Sequence, residues 1–554
     1  MDLGSHIKAL RTLLQWQKGR SLLWQVVGVL FALSYITFLH LGNDGLWYQG
    51  DAPRHAANGL FWWDFLTNFS TKPVDFALSY YARYPVIHPT AYPPGFYLIE
   101  GTAFQFFGAS PFVAKGLVFA FTVLACVYVI AWIRRWISKE AGWGSVLLIL
   151  QPGIILWANA VMLNVPSMAL GLAALYHARR WIETATSRHL YLASFFTLFG
   201  ILTYVHSGIV LFVILAWIVV EQRWIVLWDR RVLIIGLLSV LVLLPWVWVI
   251  VRWAPTYVAG VSPSTQFISM RSTWTFYLSE MVDLFTTPLL ALAIIGVVVG
   301  LCDWRWRQEI KLLLIWIIVC YGVLSYIVAR EPRYILPLSP AIVFLSVIGL
   351  ISLLHRAAVW FRKNSSWFFL SGMAALLVFH IFAAPFVRVP IVKGFREVVE
   401  FFEKVAPEER IFYDGVHNGV FSFYMCAGDP DFKRGVVLGN KLLYASSIFP
   451  TWLLAERVSS PADVVEVLRM EGGCKWIAIE RQGSSDEIRA ARYLRQALTG
   501  SHFKFIKSFP IVDSSPNQVD VYQFLPPVEK PDKIELRFPS LGEEGGVFRV
   551  KPIK

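Results

Sequence analysis

An aspartate, an arginine and a histidine fall within five residues in the stretch YQGDAPRHAANG, as Asp51, Arg54 and His55. Their types suit proton transfer beside an anion: a carboxylate can take a proton from an attacking group, and a guanidinium can clamp a phosphate. The segment YYARYPVIHPTAYPPG adds Arg83, His88 and Tyr92. Prolines at this density stiffen a loop and suit it to shaping a pocket. Asn164 lies just before Pro166 at the start of an apolar segment, a composition that favours a helix N-terminus. His206 sits in LTYVHSG, at a break between apolar segments, and Arg330, Arg333 and Tyr334 stand together in AREPRYILP.

Each of these residues also has a plainer reading. An aspartate ahead of a helix is often an N-cap. Arginines at a membrane boundary anchor in the headgroups. His88 and His206 fit structural or acceptor-contacting roles better than metal ligation, because no paired-histidine or Glu-x-x-His spacing accompanies them. The aromatic loop also fits an interfacial belt.

The elements that must hold these residues are set by composition. Of 554 residues, 56% are hydrophobic and only 16% are charged, and the mean hydropathy is +0.55. Soluble domains carry about a quarter charged residues, so the chain reads as a polytopic membrane protein. A net charge of +13 raises nucleic-acid binding as a reading. The basic residues sit in short clusters between apolar segments, however, which is the pattern of membrane-protein loops and excludes that class. The five cysteines have no metal spacing. Cys426 and Cys474 are open to pairing or to remaining free thiols. No cleavable signal is expected, since 22–41 is long enough to span and lacks a small-residue cleavage site.

Apolar segments near 23–41, 112–133, 143–162, 166–181, 190–205, 208–220, 233–251, 289–301, 312–329, 335–354 and 367–386 give roughly eleven spans. Basic clusters lie at His6 to Arg20, Arg134 to Lys139, Arg179 to Arg188, Arg223 to Arg231, Arg305 to Lys311 and Arg356 to Lys363. All six fall on the cytoplasmic side if the N-terminus is inside and if 94–107, about 14 residues, does not cross. The opposite face then collects the loop 42–92, the turns at Asn164 and His206, the loop 252–288, the 330–334 turn and everything after 386. The stretch 51–69 has an amphipathic pattern suited to the interface. From 389 onward short β-rich runs (410–414, 435–438, 475–479, 503–506, 519–524) alternate with helical patterns at 395–405 and 461–470, predicting a small α/β domain. No Gly-rich phosphate loop or nucleophile elbow marks it as an enzyme by itself. The tail after Pro526 reads as irregular.

An acid in the first outer loop, a Tyr-Pro-Pro entry to an apolar helix, a polar-Val-Pro turn and a late Arg-Tyr-x-x-Pro resemble the GT-C superfamily over 51–340. The nearer resemblance is to the protein O-mannosyltransferase and aminoarabinose transferase branch, which uses polyprenyl-phosphate-linked sugars. The resemblance implies a catalytic domain 1–388 and a soluble extracytoplasmic domain 389–554. It implies Asp51 as the general base on the acceptor, and Arg333 with Tyr334 near the lipid phosphate. Arg54, His55, Arg83, His88, Tyr92, Asn164, His206 and Arg330 are the further candidate substrate contacts. Ala52 and Asn164 stand where relatives carry acids, so no metal ligand set is assigned, and a divalent metal is the one cofactor left open.

The expectation is therefore a multi-pass glycosyltransferase of the plasma (inner) membrane. It would move a sugar, as a hexosyl or pentosyl group and with inversion, from a polyprenyl-phosphate donor to a hydroxyl or amine of a glycan, lipid or protein. Such a transfer does not need the two flanking carboxylates of hydrolytic glycosidases. Two other classes remain open. A transporter or flippase for a lipid-linked sugar would place charges at the membrane midplane in related halves, which the sequence does not show. A non-catalytic scaffold of an envelope polysaccharide machine is compatible with the missing second acid.

Overall fold

The computed structural model describes residues 3–40, 45–47, 50–68, 72–253, 271–327, 330–361, 365–447, 453–482, 488–513, 515–537 and 547–552. Helix α1 (Leu3–Leu39) leads to three helices on the loop that follows it, α2 (Asp51–Asn68), α3 (Pro73–Arg83) and α4 (Gly95–Phe107). The bundle continues with α5 (Pro111–Trp132), α6 (Gly144–Ile149), α7 (Pro152–Ala158), α8 (Asn164–Thr184), α9 (Ser187–Thr203), α10 (Ile209–Val220) and α11 (Arg230–Trp253). It closes with α12 (Arg271–Phe285), α13 (Thr287–Cys302), α14 (Arg307–Tyr326), α15 (Ser339–Trp360) and α16 (Ser365–Ala383).

Each of the eleven apolar segments is helical over most of its described length, but not all are single rods. Among the described residues six helices are long and apolar enough to cross a membrane, or up to eight if each bent pair forms one span. The segment 143–162 breaks at Gln151, where Pro152 cannot continue the ladder, and bends by 57°. The loop expected over 252–288 instead contains α12, which meets α13 at 114°; residues 254–270 lie outside the described residues. Helix α4 has 13 residues, which at 1.5 Å per residue reaches about 20 Å, short of a bilayer core.

Helix α4 is pinned to α2 by glycines. A Cβ on Gly101 would lie 2.5 Å from the Gly59 carbonyl oxygen and 2.9 Å from Trp63 Cβ. A second close crossing joins α13 and α15, where Cβ atoms on Gly296 and Gly349 would run into the carbonyl oxygens of Leu345 and Leu292. Small residues allow backbones to approach this way where lipid supplies no hydrophobic drive. Gly349→Ala should therefore cost about 1–3 kcal/mol by overpacking, read as a lower melting temperature in detergent. Gly116→Ala, with nothing within 4 Å of the added carbon, should leave the melting temperature unchanged; equal losses in both would refute the crossing.

Arg179 belongs by sequence to a solvent-facing basic cluster, but its side chain is buried. Its Nη1 meets Glu309 Oε2 at 2.6 Å, and Trp132 Nε1 donates to Glu309 Oε1 at 2.6 Å. Its guanidinium also lies 3.9 Å from the centre of the Trp136 ring. The pair locks α5, α8 and α14 at their basic ends, and a buried pair of this kind persists only when its hydrogen bonds are filled.

After α16 the chain forms a six-stranded sheet of order β1-β7-β8-β6-β2-β3. The strands are β1 (Val392–Lys393), β2 (Arg410–Asp414), β3 (Gly435–Leu438), β6 (Trp476–Glu480), β7 (Phe503–Asp513) and β8 (Ser515–Phe524); β4 (Tyr444–Ser447) and β5 (Leu453–Glu456) pair separately. Strand β2 runs parallel to β3 and β6, and the remaining pairs are antiparallel. Helices α17 (Phe395–Val405), α18 (Asn418–Ala427), α19 (Gly439–Leu442), α20 (Pro461–Val467) and α21 (Arg489–Leu498) complete the α/β layer. The tail is not wholly irregular: β9 (Ile534–Arg537) and β10 (Val547–Val550) pair antiparallel; Ile534-Glu-Leu-Arg alternates apolar and polar residues as a half-exposed strand does. Cys426 and Cys474 are both free and buried. Cys426 Sγ lies 3.2 Å from Tyr80 Oη, whereas Cys474 Sγ bonds the Gly472 carbonyl at 3.1 Å.

The α/β layer rests on the loop helices. A Cβ on Gly419, at the start of α18, would touch Pro53 and Val86. Tyr84 Oη donates to Asp429 Oδ2, and Phe104 packs on Phe423 with ring centres 6.3 Å apart.

Candidate functional site

Asp51 opens α2, where an anion is favoured by the helix dipole. Its carboxylate is nevertheless held by side chains. Arg54 Nη1 lies 3.2 Å from Oδ1 and Arg333 Nη2 lies 3.2 Å from Oδ2. Among the described residues no backbone N–H of α2 donates to either oxygen, which weighs against a pure capping role. Burial pushes the Asp51 pKa up, but Arg54 first, then His55 and Arg333, bring it below its ordinary value.

Arg333 reaches Asp51 from a tight helical turn, Pro332–Leu338, whose Pro332 and Pro337 fix the backbone. Its side chain is 3% exposed and shares Nη2 with Glu331 Oε1 at 3.0 Å. The guanidinium lies 5.5 Å from the ring centres of both Trp157 and Tyr334. Arg330, half-buried, stands at the start of the same stretch.

One helical turn after Asp51, His55 is buried with Nδ1 2.7 Å from Tyr97 Oη. Burial drives its pKa down to about 3, with Asp51 opposing and Arg333 and Arg54 adding, so it is a neutral imidazole at neutral pH. Its ring meets Tyr92 edge-on at 4.7 Å, Tyr92 lies 6.4 Å from Tyr204, and Tyr204 lies 4.5 Å from His206. His206 then lies 4.9 Å from Tyr334, next to Arg333. These contacts lead from His55 through Tyr92, Tyr204, His206 and Tyr334 to Arg333, which meets Asp51; Asp51 and His55, one turn apart on α2, complete the ring. His88 is fixed beside it, its backbone N–H donating to Asn58 Oδ1 at 2.8 Å; burial, and next Arg54, take its pKa to about 3.

Asn164 is the first residue of α8 and is 4% exposed. One turn on, Ser167 Oγ lies 2.7 Å from Ser207 Oγ, joining α8 to the His206 turn. Below His206 a narrow apolar cleft runs between α8, α10 and α14, lined by Met168, Leu172, Val210, Trp316 and Pro337. Arg83 is not in the ring; its Nη1 donates to the Arg434 carbonyl at 2.7 Å, facing the α/β region.

Tyr97, Trp157, Tyr204, Glu331 and Asn58 were not foreseen from sequence. Asn58, Tyr204 and Glu331 lie within motifs already singled out, but Tyr97 and Trp157 carry no local signal. No group of three or more His, Cys, Asp or Glu among the described residues is arranged to hold a metal ion. The donors also fit one poorly: Asp51 faces two guanidiniums, Glu331 shares one of them, and Ala52 and Asn164 add no charge.

No protein-family model and no curated protein matches the sequence. Solved structures do. ArnT from Cupriavidus metallidurans bound to undecaprenyl phosphate matches with a TM-score of 0.56 at 15% identity, over 90% of this chain and 98% of that one. Its apo state gives 0.57 at 14%, over 90% and 97%. The archaeal oligosaccharyltransferase AglB from Archaeoglobus fulgidus, in complex with an inhibitory peptide and a dolichol-phosphate, gives 0.52 at 12%, over 82% and 69%. At such identities the likeness is one of fold. The chain shares their fold, a helical region with several long apolar helices followed by an α/β region.

Proposed function

We propose that the protein is a membrane glycosyltransferase that moves a sugar from a polyprenyl-phosphate donor to an acceptor hydroxyl or amine on the extracytoplasmic face. The observation that carries this reading is the contact of Asp51 with Arg333. A proton acceptor and an anion clamp stand side by side there. Fold neighbours bound to undecaprenyl phosphate or in complex with a dolichol-phosphate support the donor class.

In this reading the acceptor attacks the anomeric carbon and gives its proton to Asp51. The bond from that carbon to the phosphate oxygen breaks with inversion, and the lipid phosphate leaves with the electron pair. Arg333 and Arg54 stabilise the charge that develops on the phosphate. Neutral His55, held by Tyr97, positions α2 without competing for the proton. Purified protein incubated with a panel of polyprenyl-phosphate sugars and acceptors should release lipid phosphate. Absence of release across the panel, from folded protein, would overturn the proposal.

The charges around Asp51 also fix a pH dependence. A base whose pKa is depressed stays ionised until the pH falls through that lowered value, and only then is activity lost. The acid limb of kcat/KM should therefore lie below about pH 4, the ordinary aspartate value. A limb centred near pH 6 would point to a different base.

A further inference from the structure

Arg83 ends α3, and Arg410 begins β2 directly opposite Gly435 in the parallel register with β3. With no side chain at 435, both arginines close over that position: a Cβ there would lie 3.4 Å from Arg410 Cγ and 3.5 Å from Arg83 Cγ. Arg83 Nε and Arg410 Nη1 are buried and meet no hydrogen-bond acceptor among the described residues.

The neighbouring acids are committed elsewhere. Asp429 accepts from Tyr84 Oη, from Lys433 N at 2.9 Å and from Arg434 N at 2.7 Å. Glu403 pairs with Arg434 at 3.0 Å, and Glu409 pairs with Lys530 at 3.0 Å. Among the described residues neither Arg83 nor Arg410 has a carboxylate within ion-pair distance. Burial lowers both guanidinium pKa values; for Arg83, Tyr84 and Asp429 oppose this and Arg410 adds to it.

Two adjacent cations drawn partly out of water are costly unless an anion joins them. Planar guanidinium forks match phosphate oxygens bidentately. We propose that Arg83 and Arg410 form a phosphoryl-binding site at the seam between the loop helices and the α/β region, distinct from the Asp51 ring. A phosphoryl group bridging them would tie the α/β region to α3 and, through the loop, to the helix that carries Asp51. Its source is either a lipid headgroup or a soluble phosphate.

The test uses the full-length protein carrying Arg333→Gln, which removes a competing phosphate site. Inorganic phosphate, titrated at constant ionic strength, should raise its melting temperature saturably. Adding Arg83→Gln or Arg410→Gln should weaken the apparent phosphate affinity by about 10-fold or more, the worth of a charge-assisted hydrogen bond, while Arg410→Lys retains part of it. In phosphate-free buffer Arg410→Gln should melt at or above the parent temperature, because it removes an unpaired buried charge. No response to phosphate, a response undiminished by both glutamine variants, or an Arg410→Gln loss equal with and without phosphate would overturn the site. In nanodiscs, phosphatidylglycerol that raises the melting temperature and abolishes the phosphate response identifies a headgroup. A response that survives in phosphatidylglycerol identifies a soluble phosphate.

Discussion

Asp51→Asn should lower sugar transfer by about 10²–10⁴-fold, the usual worth of general base catalysis, while donor binding and the folded state persist. Asparagine keeps the shape and can still accept from Arg54 and Arg333, but it cannot take the acceptor's proton. It is also as good a helix cap as aspartate, so a capping role alone predicts almost no effect. The two readings thus differ by orders of magnitude for one substitution. The structure narrows the competing bases. Glu280 is half-buried and Asp283 exposed on α12, and neither has a recorded contact with Asp51. Glu331, which shares Arg333 with Asp51, is the nearer rival. Full transfer by Asp51→Asn together with loss in Glu331→Gln would move the base to Glu331. Full transfer in both, and in Glu280→Gln and Asp283→Asn, would end the general-base argument.

Local patterns in the sequence carried most of the architecture. Apolar length marked the helices, and strand and helix periods marked β2, β3 and α17 with the bounds the structure has, and α20 with its start, whereas α18 was not foreseen. What escaped depends on contacts between distant residues. Asp51 and Arg333 are 282 positions apart, so the two candidates could be named separately but not paired. Arg179 read as a surface charge because its partner, Glu309, lies 130 positions away. Arg83 sat in a motif next to His88 and Tyr92, yet α3 ends there, and its side chain turns to the α/β region instead of the ring. The segment 143–162 read as one span because one proline, Pro152, inside a long apolar run does not state whether the span bends or continues.

Arg333→Ala should weaken donor use by roughly 1.5–3 kcal/mol, the range for a charge-assisted hydrogen bond, or about 10- to 150-fold in kcat/KM. The structure adds a second consequence, because this guanidinium also helps hold the Asp51 pKa down. Removing it takes away a charge that favours the carboxylate, so Asp51 becomes protonated at higher pH and the acid limb moves upward. A residue that only clamps phosphate far from the base would change donor affinity and leave the limb alone. A residue that only anchors in the headgroups would change neither. Arg333→Lys separates charge from geometry: it keeps the cation but loses the planar fork, so the limb should stay near its original position while donor affinity still falls. Donor KM and acid limb both unchanged in Arg333→Ala would reduce Arg333 to an anchor. A fall in donor affinity with an upward limb in Ala, but not in Lys, is the signature of one guanidinium serving the lipid phosphate and the base at once.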